Sequence, residues 1–80
     1  MENKTFWIAI DSIRNFPKVA LRYWEAEPNP DEVQGMGTWD KVFPGLDNVK
    51  AVIFIPRREP LAIQRKACEA VVLTFLRSRL

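Results

Sequence analysis

The stretch that most constrains this chain is its last thirty-odd residues. Val49-Lys-Ala-Val-Ile-Phe-Ile55 is the most continuously apolar run, Pro56-Arg-Arg-Glu-Pro60 interrupts it, and Leu61 to Leu80 follows with helical periodicity. In an extended chain Val49, Ala51, Ile53 and Ile55 point to one face and Lys50, Val52 and Phe54 to the other. Both faces are apolar apart from Lys50, which predicts a strand held centrally or between two layers, ended by Pro56. Pro60 suits the first turn of a helix. At 100° per residue Leu61, Ala67, Cys68, Val71, Val72, Phe75 and Leu76 share a broad face, opposite Lys66, Glu69 and Arg77. A strand, a basic corner and a long amphipathic C-terminal helix packed on a sheet are therefore expected.

The rest of the chain adds shorter elements. Thr5 to Ile10 is a second strand candidate, with Phe6, Ile8 and Ile10 on one face and Trp7 and Ala9 on the other. Arg14-Asn-Phe-Pro17 supplies turn signals. Lys18 to Glu27 fits both templates: as a strand Leu21 and Tyr23 oppose Arg22 and Trp24, and as a helix Phe16, Val19, Ala20 and Tyr23 share a face. The strand is preferred because the preceding turn links it to another strand. Asn29-Pro-Asp-Glu32 has the chemistry of a helix start, with Gly35 and Gly37 ending the turn, and Thr38 reads as the cap of a second short turn from Trp39 to Phe43. Pro28 to Asn48 then forms a connection of about twenty residues, long enough to suggest function. The fold class read from this order is α+β, a single-layer sheet in the order β-β-short helix-β-α; the helical alternative at residues 18–27 gives β-α-β-α.

Eighty residues make one domain. A chain this short buries only about 60% of its unfolded surface, and its two strand candidates are apolar on both faces, so a homodimer or a complex that hides apolar surface is expected. The single cysteine, Cys68, fits a reducing compartment, cytoplasmic by default, as does the lack of a basic n-region and apolar core at Met1-Glu-Asn-Lys-Thr5. No run approaches the ~20 apolar residues of a membrane span. Net charge is +2, divided into −3 over residues 1–40 and +5 over residues 41–80.

Catalytic chemistry is not evident. There is no histidine, one cysteine leaves no thiolate metal site, and Gly35-Met-Gly37 is not a phosphate-binding fingerprint. No enzyme, cofactor or metal is expected. Two sets of residues stand out instead. The aromatic content is high, and Trp39 sits in a stretch rich in Pro and Gly where it need not belong to the core. With Asp31, Glu32 and Leu73, the last alone among the charges of the helix's polar face, it forms a candidate partner-binding set. Arg57, Arg58, Arg65 and Lys66 form a candidate anion site at the basic corner. These features point to a non-catalytic module, a regulator or inhibitor binding a larger protein or complex. By size and architecture alone it is analogous to phage and plasmid accessory proteins. The alternative is a nucleic-acid-binding domain using Arg57-Arg58 and the C-terminal helix, which the pI of about 9.0 permits.

Overall fold

The computed structural model describes residues 4–11, 20–57 and 61–79, with side chains in the last segment from Gln64 onward. It is α+β: a four-stranded mixed sheet and one C-terminal helix. In chain order the elements are β1 (Lys4–Ile10), β2 (Leu21–Trp24), a 3₁₀ turn (Pro30–Val33), β3 (Met36–Val42), β4 (Val49–Pro56) and α1 (Leu61–Arg79). The sheet order is β2-β1-β4-β3, with β1 parallel to β4 and both outer pairs antiparallel.

The apolar run is a central strand, as its two-faced pattern predicts. Val49, Ala51, Ile53 and Ile55 are buried, and Phe54 on the other face is only 9% exposed. Pro56 closes the strand at little cost, because pairing with β1 ends at Phe54 and the missing N–H interrupts no further ladder. Of the ambiguous stretch, Lys18 and Val19 lie outside the described residues and Leu21–Trp24 is a strand, not the alternative helix: Leu21 pairs with Ile10 and Tyr23 with Ile8, which puts both on the face of the β1 isoleucines.

β3 corrects the sequence reading. The helical turn expected over Trp39–Phe43 is strand as far as Val42, and the twenty-residue connection contains a full-length β-element. Its turns were legible. Gly35 has φ +79° where the 3₁₀ turn ends. Phe43-Pro-Gly-Leu46 closes with Leu46 N–H donating to the Phe43 carbonyl oxygen (3.1 Å), Gly45 standing at φ +83°. Proline followed by a positive-φ glycine is the chemistry of a type II turn. It starts the short connection that folds β3 back onto β4.

The backbone fixes which groups are free. Lys4 N–H donates to the Asn48 carbonyl oxygen (2.6 Å), so even-numbered positions along β4 turn their backbone toward β1 and odd-numbered ones toward β3. Gly37, Trp39 and Lys41, opposite Ile55, Ile53 and Ala51, therefore bond to β4. Thr38 and Asp40 turn their N–H and C=O away from the sheet, and β3 is an edge strand.

The core lies between one sheet face and α1. Phe6, Ile8, Ile10, Val49, Ala51, Ile53 and Ile55 meet Cys68, Val72 and Leu76 of the helix. Phe75 packs edge-on against Phe6 (centroids 6.2 Å) and beside Tyr23 (4.9 Å), anchoring the helix over β1 and β2. Gln64 shares the helix's buried stripe with Cys68, Val72 and Leu76, spaced by four residues. Its Nε2–H donates to the carbonyl oxygen of Pro56, so a buried amide joins the first turns of α1 to the end of β4.

On the opposite face Trp24, Trp7 and Val52 stand in register, with Ala9 and Phe54 one row on. The link from β2 to β3 must pass from one sheet edge to the other. The right-handed crossover preferred between parallel strands carries it over this face. Burial of Pro28 within the link and of Ala9 and Phe54 agrees with that path. Ion pairs frame the face, Asp11 with Arg22 (3.0 Å) and Asp40 with Lys50 (3.2 Å).

Replacing Gln64 by Met keeps the bulk of the side chain but strands the Pro56 carbonyl, so urea unfolding should show a loss of about 1–3 kcal/mol. An unchanged midpoint would mean that this hydrogen bond does not fasten the helix to the strand.

Candidate functional site

Three odd-numbered residues of β3, Gly37, Trp39 and Lys41, face the helix side because they pair with Ile55, Ile53 and Ala51. Above them α1 presents Arg65, Glu69 and Leu73, one turn apart on a single stripe. The Arg65 guanidinium lies 5.3 Å from the centroid of the Trp39 ring and Lys41 Nζ lies 5.7 Å from it. Lys41 also meets Glu69 Oε1 at 2.8 Å. Each cation–ring contact contributes about 0.5–1 kcal/mol at an exposed site, and the ion pair about 0.2–1 kcal/mol. These contacts set the geometry of the edge more than they stabilise the fold.

Beyond the ion pair a groove of about 380 Å³ opens between the end of β3 and the outer side of α1. Phe43, Pro44, Ala70 and Leu73 give it an apolar lining, and Lys41, Lys66 and Glu69 line it with charge. Phe43 is 3% exposed and belongs to the core, whereas Ala70, Lys66 and Pro44 are open to solvent. At the other end of β3 the stem of Arg57 passes over Gly37, where an added methyl would stand 3.9 Å from Arg57 Cγ.

The structure thus draws residues from the two sequence-derived sets onto one edge. Trp39 and Leu73 from the partner set, and Arg57, Arg65 and Lys66 from the anion set, all lie along β3 and the side of α1 above it. Trp39 is not a loop residue. It is a half-buried strand residue packed against the core, so it serves folding as well as any contact. Arg58 lies outside the described residues. Asp31 and Glu32 do not line the groove. They sit in the 3₁₀ turn, where the Glu32 carboxylate accepts the Asn29 N–H at 3.1 Å, the capping role their spacing suggests. The sequence reading missed Lys41, Phe43 and Glu69, whose positions acquire meaning only once β3 is paired.

Comparison with family models, curated proteins and solved structures found no match for this chain.

Among the described residues no three His, Cys, Asp or Glu side chains come together in a group able to hold a metal, and no buried side-chain nitrogen or oxygen lacks a partner. Cys68 is fully buried. Burial pushes its thiol up from the ordinary 9.0 to about 12, so at neutral pH it is a protonated thiol inside the core. The groove offers shape, cations and apolar surface rather than a nucleophile.

The Cys68 thiol makes a pH prediction whose sign follows from linkage. Well below pH 9 the thiol is protonated in both folded and unfolded chains and contributes no slope. As pH climbs from about 9 to 12 the unfolded thiol ionises first, so stability should fall. Cys68→Ala, compared with the parent in denaturant melts across that range, should remove this part of the decline. An equal slope in both proteins would show that the thiol is not held in its neutral form by the fold.

Proposed function

We propose that the chain is a non-enzymatic interaction module, a regulator or inhibitor that docks on a larger protein through the edge formed by β3 and α1. The observation that carries this reading is the groove: an apolar lining beside a tryptophan flanked by two cations, at a sheet edge with free backbone groups. Apolar surface, an aromatic anchor and arginine together are the composition of interface hot spots. The lone buried cysteine suits work in a reducing compartment such as the cytoplasm. No described helix is long and apolar enough to cross a membrane.

A second reading, nucleic-acid binding, draws on the exposed Arg65, Lys66, Arg77 and Arg79 of α1. It shares only Arg65 and Lys66 with the β3 edge, because Arg79 lies over Tyr23 of β2, and it needs no apolar groove. Strands apolar on both faces in so short a chain favour a homodimer. The far face now has Ala9 and Phe54 buried within one chain, which leaves less surface for a second copy to cover.

Ala70→Glu tests the first reading, because it puts a good helix former at an exposed position and charges the groove without touching the core. Used as bait with nuclease present, the parent should recover a stoichiometric protein from its native host, and the variant should lose most of it with an unchanged circular dichroism spectrum. Leu73→Ala should weaken recovery in the same direction. Equal recovery by all three baits would clear the groove of any docking role, and recovery that vanishes with nuclease would favour the second reading.

A further inference from the structure

We propose that the free edge of β3 accepts an extended acidic segment of a partner protein as a fifth strand, whose alternate carboxylates lie beneath Arg65 and Lys66. This rests on the docking reading above and deepens it by naming the mode and the chemistry of the ligand.

Three observations converge. Thr38 and Asp40 turn N–H and C=O outward on an edge strand of seven residues, which is the hydrogen-bonding template that strand addition uses. The groove that continues from this edge is overhung by α1, so a strand laid against β3 would run beside Trp39 and Lys41 and reach the apolar wall at Ala70 and Leu73. The charges are complementary to an acidic ligand on one face only. Arg57, Arg65, Lys66 and Lys41 stand on the helix side, where Lys41 is already paired with Glu69. On the other face the edge presents an exposed Val42, 61% accessible, and Asp40, whose carboxylate is already paired with Lys50 at 3.2 Å.

That asymmetry dictates a pattern. Residues of the added strand opposite Trp39 and Lys41 point to the helix side and should be acidic. Those opposite Thr38, Asp40 and Val42 point to the other face and should be valine or threonine, since a carboxylate there would oppose Asp40. Slipping the strand by one residue exchanges the faces, takes the carboxylates away from Arg65 and Lys66 and sets them beside the Asp40–Lys50 pair, so register is specified by charge.

The probe is a capped seven-residue peptide alternating glutamate with valine or threonine, titrated to millimolar concentration into the ¹⁵N-labelled protein. The expected result is shift changes at the Thr38 and Asp40 amides and along Lys66 to Leu73. Affinity should fall about tenfold in Lys66→Glu, and fall with added salt. Methylating the peptide nitrogens that face β3 should abolish binding. A peptide with lysine in place of glutamate should leave the spectrum unchanged.

If the methylated peptide binds as well as the parent peptide, the groove recognises acidic ligands but strand addition is wrong. If no residue between Met36 and Val42 responds, strand addition is overturned, while the Ala70→Glu comparison still decides the docking reading separately. If a single-stranded oligothymidylate displaces the peptide and binds the same residues more tightly, the acidic-segment proposal fails and nucleic acid takes its place.

Discussion

The structure depends on β4 being paired along both edges, buried along its helix face and closed on the other face at Phe54. A strand so placed has to be apolar throughout, and Val49 to Ile55 departs from that only at Lys50, whose ammonium meets Asp40. Pairing with β1 on one side and β3 on the other makes the sheet four strands wide around it. Its odd-numbered side chains provide the floor on which α1 packs. Each mixed-sheet connection then follows: β3 returns by a short turn, and β1 is reached only through the intervening elements.

The helix completes one layer and defines the edge. Cys68, Val72 and Leu76 bury apolar surface against the isoleucines, Phe75 wedges toward β1 and β2, and the Gln64 amide fixes the start of α1 against Pro56. With those contacts made, Arg65, Glu69 and Leu73 overhang β3. The uneven charge of the sequence acquires a spatial meaning here. Lys41, Arg57, Arg65 and Lys66 gather along this edge, whereas Glu25, Glu27, Asp31 and Glu32 are exposed in the link between β2 and β3.

Much of this was legible in the residues. Alternation and apolar runs located β1 and β4, the 3.6-residue period located α1, and Asn29-Pro-Asp-Glu32 announced the 3₁₀ turn. β2 was ambiguous because ten residues satisfy both periods, and pairing with β1 decides it. β3 was lost because it does not alternate apolar with polar: Gly37, Trp39 and Lys41 face the core side, and Thr38, Asp40 and Val42 the other. Its mixed character is that of an edge strand, where only the middle residue reaches the core. The turn signals on either side, Gly35 and Pro44-Gly45, bound a loop as readily as a strand. Trp39, Leu73, Arg65 and Lys66 were each singled out, yet their convergence follows from the pairing of β3 and could not be read along the chain. Gln64 gave no signal at all, since a polar residue at helical spacing declares itself buried only when its partner carbonyl is in place.

Native-state amide hydrogen exchange tests the central claim, that β3 is a paired but open edge strand beside α1. The slowest amides should lie in β1 and β4, and within β3 Gly37, Trp39 and Lys41 should exchange slowly while Thr38 and Asp40 exchange quickly. Fast exchange at all five would contradict the pairing of β3 with β4. Slow exchange at all five would contradict the open edge.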